Sequence, residues 1–437
     1  MLARVASYFE FGRHGTDFRR EILGGATTFA TMAYIIVVNP AILSAAGIPA
    51  GPSMVATILT ALVGTLLMGI YARRPFAVAP YMGENAFIAF TVVGLLGYSW
   101  PQALAAVFVA GVLFILLTIA RVRQWLVEAV PEGLRYSFAV GIGLFLAFIG
   151  LVQMGVVALG TEGAPVQMGR LDEPGVLVAL GGFVLIVLLM QWRAPGAILL
   201  GILATAAAAY VAGVAAPPEA WLSAPPSLAP ILWQLDFGEF WSVGFLAVAL
   251  VVFVMAFVDT LGTLVGVSAR AGFLDERGRL PQIERPMLAD AVATTFAASI
   301  GTTTAGAYIE SASGVEAGGR TGFSAVVTAG LFALALFFAP LVTAIPPAAY
   351  GPALVAVGLL MVTPIRRIRF DDSTELVPAF ATITLMSFTF NIGVGMTAGF
   401  VLYPLLKLAA GRGREVGGGL WTLFALSLLF YIFYPYH

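Results

Sequence analysis

Three carboxylates stand in stretches of sequence that ordinarily exclude charge: Glu84 in APYMGENAFIAF, Asp259 in VVFVMAFVDTLGTLVGV and Glu310 in TTTAGAYIESASG. An ionisable residue in such surroundings costs ~2.5–3.5 kcal/mol on insertion scales, so each needs a compensating role. An ionised carboxylate only accepts hydrogen bonds, and loss of water favours its protonated form. These groups therefore suit three tasks: holding a solute through its N–H donors, taking up and releasing a proton, or coordinating Na⁺. Other chemistries lack residues. The chain has no cysteine, which removes thiolate metal sites, disulfides and cysteine nucleophiles. Its two histidines, His14 and His437, lie near opposite ends, so no His-built metal centre or triad is expected and any side-chain proton relay falls to the acids.

The elements that must position these acids are apolar helices. Of 437 residues, 60% are hydrophobic and 10% charged, with a mean hydropathy of +0.97. Soluble domains carry about 25% charge, so a polytopic membrane protein is expected. A net charge of −1, with 22 basic against 23 acidic residues, offers no basic face for nucleic acid. A span needs about 20 residues. Apolar runs between charged or Pro/Gly breaks fall at 24–46, 53–71, 75–96, 101–121, 134–157, 174–192 and 195–214, then at 240–267, 286–301, 302–318, 321–343, 346–363, 376–391 and 393–409. This predicts an all-α protein with 14 spans. The expected units are a cytoplasmic N-terminus (1–23), a first set of seven spans (24–214), an extracytoplasmic Pro-rich loop (215–239), a second set (240–410) and an apolar tail (411–437). The stretch 418–436 reads as a further span or an interfacial helix.

Charge sets the orientation. With the N-terminus cytoplasmic, 21 of the 22 basic residues fall on the cytoplasmic side and only Arg170 outside, while Glu162, Asp172, Glu173, Glu219, Asp236 and Glu239 face out. That is the positive-inside pattern.

Seven spans invert the second set relative to the first, the condition for an inverted repeat. The third span of each set is broken, by PFAVAPYMG (75–83) and by GTTTAGA (301–307). Pro, Gly and β-branched residues start helices poorly, and paired interruptions point to a transport site near the midplane. Aligning the breaks sets Glu84-Asn85-Ala86 against Glu310-Ser311-Ala312, at an offset of 226 residues. Each acid then lies where a half-helix begins, beside free N–H groups and a positive dipole end. Donors from backbone and acceptors from carboxylates suit a small planar solute with N–H groups and carbonyl or ring-nitrogen acceptors. A carboxylate at a helix start also serves as an N-cap, which is the bland reading for Glu84 and Glu310. Asp259, deep in its run, has instead a hydrogen bond to a neighbouring hydroxyl as its bland reading. Asp290, in MLADAVATT, reads as structural.

The runs GGATTFATMAYIIVVNPAILSAAG (24–47), FVDTLGTLVGVSARAGFLDERG (257–278) and YIESASGVEAGGRTG (308–322) resemble the nucleobase–cation symporter-2 family, and within it the AzgA-like branch of purine permeases. The likeness covers nearly the whole chain in order. It implies a seven-plus-seven inverted repeat with interrupted spans three and ten, split into a core (spans 1–4 and 8–11) and a gate (5–7 and 12–14). It also implies import of adenine, guanine or hypoxanthine by proton symport, with no cofactor, and a homodimer in the bilayer. By position, Glu310 resembles the glutamate that binds the base, Asp259 the acid of substrate binding and coupling, and Asn85 the asparagine of Gly-x-Asn-Ala. Tyr308 resembles a residue whose backbone contacts the substrate. Two departures stand out: Glu84 replaces an apolar residue of the branch, and Thr304-Ala305-Gly306-Ala307 is poorer in hydroxyls.

The site expected from this reading comprises Glu310, Asp259, Asn85, Glu84, Tyr308, Phe257 and Ser311, with Phe257 offering an apolar face to the ring. Asp259, Glu310 or Glu84 carries the proton, with Na⁺ as the alternative ion. A uracil- or xanthine-type carrier, an anion transporter of related fold and an intramembrane enzyme are the competing readings. Three clustered acids oppose the anion, and their placement at paired breaks opposes the enzyme.

Overall fold

In the computed structural model, residues 2–120, 130–161, 164–275 and 280–433 are described. Arg121, Arg123, Arg277 and Arg279 among the basic residues, Glu162 among the outward acids, and His437 lie outside them. The chain is an all-α polytopic membrane protein, with nine helices among the described residues long and apolar enough to cross a bilayer.

The first half contains α1 (Phe18–Met32), α2 (Ile35–Ser44), α3 (Ala50–Leu66), β1 (Val78–Pro80), α4 (Met82–Ala86), α5 (Trp100–Ile119), α6 (Glu132–Gln153), the hairpin β2 (Val157–Thr161) and β3 (Ala164–Met168), α7 (Pro174–Gln191) and α8 (Ala197–Val211). The second contains α9 (Val243–Ala271), α10 (Glu284–Ser299), β4 (Ala305–Ala307), α11 (Ser311–Glu316), α12 (Gly322–Ala335), α13 (Pro347–Val362), α14 (Ser373–Phe388), α15 (Ile392–Ala409) and α16 (Gly418–Phe433). Local signals set many ends. Ser99 and Gln102 form a capping box ahead of α5, and Ser242 caps α9, each answering N–H groups a helix start leaves free.

Two features depart from the sequence expectation. The run 24–46 is two helices, joined at Ala33-Tyr34, and the first begins already at Phe18. The fifth run stops at Gln153, because 157–161 pairs with 164–168 in an exposed hairpin. The tail forms a helix along α15, where Tyr431 donates to the Val394 carbonyl at 2.9 Å.

Helices pack in two groups. In one, α1 and α3 pack on α12, and α5 on α9 and α10; in the other, α6 packs on α13 and α14, α7 on α8 and α13, and α14 on α15. Between the halves, β1 and β4 pair antiparallel, with Val78 opposite Ala307 and Pro80 opposite Ala305. The ladder extends one bond each way, from Tyr81 N to Thr304 O and from Tyr308 N to Ala77 O, both 2.9 Å. The Pro-rich loop lies over the end of the first group: Ser223 N bonds Phe337 O, Trp233 N bonds Ser299 O and Asp236 N bonds Pro101 O. Ile231, fully buried, sits against Gly301 where the second break begins.

Candidate functional site

Each strand is too short to satisfy itself, and its neighbours complete it in matching ways. Thr65 of α3 accepts from Val78 N at 2.9 Å and donates to Val78 O at 3.1 Å. Thr294 of α10 accepts from Ala305 N at 3.1 Å and donates to Ala305 O at 2.8 Å. Two tyrosines clasp the crossing: Tyr81 donates to Ala307 O at 3.3 Å, and the Tyr308 hydroxyl donates to Pro80 O. Their rings lie nearly parallel, 10° apart in plane with centroids at 6.1 Å. A side chain at Gly306 would run into the Tyr81 ring, which is why β4 has glycine there. Ser311 accepts from Ala77 N at 3.0 Å, so its hydroxyl ties α11 to the first break. Asp290 of α10 takes the Ala307 N–H at 3.0 Å, a structural task for one of its two oxygens.

This scaffold gathers acids from both halves. Glu84 lies in the first turn of α4, fully buried, and its two oxygens receive no hydrogen bond from any other residue. Opposite it on α9 is Asp259, half-buried, with its carboxyl within hydrogen-bonding reach of Glu84's. Glu310 immediately precedes α11 and makes no side-chain cap. Instead its Oε1 accepts from Tyr34 at 2.5 Å, so capping accounts for neither Glu84 nor Glu310. Tyr34 occupies the α1–α2 break.

Asn85 does not stand free. Its amide donates to the carbonyl oxygen of Asn39, whose own amide donates to Thr57 at 2.7 Å and Thr302 at 3.0 Å. One asparagine of α2 thus joins α3, α4 and the second break, while Asn85 Oδ1 stays buried without a donor. Phe257 is elsewhere: its ring packs on Phe114 (5.8 Å) and Phe253 (5.9 Å) between α5 and α9. The residues sequence reasoning missed are Tyr34 and Asn39. The only signal for them was a phenol and an amide inside the run MAYIIVVNP.

Two further features bound the site. An apolar groove of about 230 Å³, lined by Leu250, Val254, Met396, Phe400 and Leu426 of α9, α15 and α16, has none of these acids in its wall. At the far end of α15 the fully buried Lys407 reaches Glu375 at 2.9 Å and Glu415 at 3.0 Å, where Arg412 and Arg369 complete an ionic cluster. Among the described residues no group of acids and histidines has the arrangement of a metal centre.

Comparison with known proteins agrees with this architecture. Residues 19–402 match the Permease family. The chain is 46% identical to "Putative permease MJ0326" of Methanocaldococcus jannaschii, over 99% of this chain and 98% of that protein. It is 40% identical to "Guanine/hypoxanthine permease PbuO" of Bacillus subtilis, over 97% and 99%. It is 39% identical to "Adenine permease AdeQ" of Escherichia coli, over 94% and 92%. Among solved structures, the transmembrane domain of a cyanobacterium bicarbonate transporter, BicA, superposes with a TM-score of 0.66, covering 88% of this chain and 98% of that one at 18% identity, a likeness of fold alone.

Proposed function

The chain belongs to the Permease family, and from that membership we propose that it imports a purine nucleobase, adenine, guanine or hypoxanthine, by proton symport with alternating access. The observation that carries the reading is the placement of the Glu84–Asp259 pair and of Glu310 around Tyr308, beside the crossed strands β1 and β4. Relatives named for guanine, hypoxanthine and adenine support the purine.

In this reading Glu310 accepts hydrogen bonds from adjacent N–H groups of the base, while N–H groups at the starts of α4 and α11 meet its carbonyl or ring nitrogens. Tyr308 and Ser311 shape the pocket through the strand they hold, and Asn85 through Asn39, which ties α4 to the second break. Phe257, read from the sequence as an apolar face for the ring, packs its own ring on Phe114 and Phe253. Asp259, Glu84 and Glu310 are the groups available to carry the proton. The architecture proposed is 14 spans in a seven-plus-seven inverted repeat, interrupted at the two breaks. Its support is the reciprocity of Thr65 with Thr294 and of Tyr81 with Tyr308. The core is spans 1–4 and 8–11 and the gate spans 5–7 and 12–14, a division supported by the two groups of helix packing. Residues 24–214 and 240–410 form the two repeats, 215–239 the outer loop, 1–23 the cytoplasmic N-terminus and 411–437 the apolar C-terminal tail. A homodimer follows from the family resemblance.

The test is uptake of labelled hypoxanthine, adenine, guanine and uracil into proteoliposomes, with an imposed proton gradient, a sodium gradient or neither. Concentrative purine uptake that a protonophore collapses supports the proposal. Uptake driven only by sodium reassigns the ion, and no uptake of any base by folded protein overturns the substrate.

A further inference from the structure

Glu84 is an expensive residue without a visible reward. It is fully buried, its oxygens receive nothing from any other residue, and it offers no side-chain cap to the helix it begins. Its one polar neighbour of consequence is another acid, Asp259. Four neutral donors of the site are committed elsewhere. The Tyr81 and Tyr308 hydroxyls bond backbone carbonyls of the crossed strands, Tyr34 serves Glu310, and the Asn85 amide serves Asn39. The charged or titratable groups around the pair are those two tyrosines, Glu310 on the α11 side and Asp290 from α10. No lysine, arginine or histidine among the described residues acts on either carboxyl.

Two carboxylates in contact, buried and without a cation, repel one another, and each has lost its water. A single proton resolves both problems by making an O–H···O⁻ bond, the strongest kind an acid pair forms. We propose that Glu84 and Asp259 act as one acid pair holding one shared proton, and that this pair, separate from Glu310, is the proton-carrying element of the site. The proposal rests on the transport reading above and assigns its coupling ion a place.

The two acids divide the work by exposure. Glu84 is sealed, whereas Asp259 is half-buried and gives the pair its outlet. On release the shared O–H bond breaks, the proton passes from Asp259 to water, and the pair goes from one negative charge to two. That state is tolerable only while water reaches Asp259, so release is tied to opening of the site. Uptake reverses each step. Glu310 stays bonded to Tyr34 or to the solute throughout and exchanges no proton with the pair.

Infrared titration of the full-length protein in lipid tests this without any substrate, by following the C=O stretch of a protonated carboxyl as pH is raised. Measured in an Asp290→Asn background, so that the second buried acid at the strand crossing adds no signal, the protein should lose one such proton per chain. Glu84→Gln and Asp259→Asn should each remove that signal, because the amide takes the place of the shared proton, and the double variant should remove no more than either single one. Glu310→Gln should keep it. Independent losses that add in the double variant, a signal that survives both single variants, or no protonated carboxyl in that background would each overturn the proposal. Should Glu84→Gln fail to reach the membrane, Asp259→Asn read against Glu310→Gln decides the same question. Because no base is needed, a wild type that carries the shared proton yet transports no purine sinks the substrate reading and leaves this one standing.

Discussion

The Tyr34 hydroxyl donates to Glu310 Oε1 at 2.5 Å, joining residues 276 positions apart in sequence. Tyr34 is able to do so because helical backbone stops at Met32 and resumes at Ile35. The bond fixes the carboxylate's direction. Tyr34→Phe removes a hydrogen bond to a charged group, worth about 1.5–3 kcal/mol, so base binding should weaken roughly 10- to 100-fold. Equilibrium binding of labelled base measures this; unchanged affinity would show that Tyr34 only fills space.

Glu310→Gln swaps an acceptor pair for one acceptor and one donor. The N–H face of the base then meets a donor, and binding should be abolished while the protein remains folded. Detergent-stability profiles and scintillation proximity binding separate the two effects, and normal binding by the variant would remove Glu310 from the site.

The clasp at the strand crossing predicts matched costs. Thr65→Val exposes Val78 N–H, and Thr294→Val exposes Ala305 N–H, each left without its donor–acceptor partner in a buried place. Each should cost about 1–3 kcal/mol, and the two should be similar. Thermal unfolding in a single detergent compares them; a large disparity would argue against equivalent roles.

The cluster around Lys407 predicts a separate dependence. Lys407 is fully buried and Glu375 nearly so, but Lys407→Met leaves Glu375 bonded to Arg369 and Tyr403 and Glu415 bonded to Arg412, so the loss should fall below the ~3–5 kcal/mol of an unpaired buried charge. Thermal melting of the two proteins in one detergent measures that loss.

Acid should act on the exposed side of the same cluster. Glu415, bonded first by Arg412 and then by Lys407, is held at about 2, below its ordinary 4.5. A lowered folded-state value means its contribution is full above about 4.5 and fades as pH falls toward 2. Melting temperatures of wild type and Glu415→Gln should therefore differ near neutrality and converge in acid.

Much of this was legible in the sequence because a bilayer restricts the choices. Run lengths and Pro/Gly breaks placed the helix ends within a few residues for α5, α7 and α15, and the paired breaks at 75–83 and 301–307 became the strands β1 and β4. The alignment that set Glu84 against Glu310 put each in or beside the first turn of a short helix, as observed. What escaped were contacts that periodicity cannot encode. Nothing in local sequence says that residue 78 pairs with residue 307, or that Tyr34 reaches Glu310. Nor does local sequence say that Lys407 is sealed, with three acids converging on it from beyond its own helix. Nearness to Asp259 in sequence does not say which way the Phe257 ring points. Two positions along a helix turn a side chain by about 200°, and the α5 face claims the ring.

The pairing of β1 with β4 also imposes an order on biosynthesis. Pro80 leaves the ribosome 225 residues before Ala305. At ~5–20 residues per second the first strand waits roughly 11–45 s for its partner. Its backbone groups have no lasting place in hydrocarbon during that interval. The 75–83 segment must therefore linger near the insertion machinery or beside water until the second half arrives. A ribosome stalled before residue 305 should leave this segment accessible to a water-soluble label, and one stalled well past 307 should protect it.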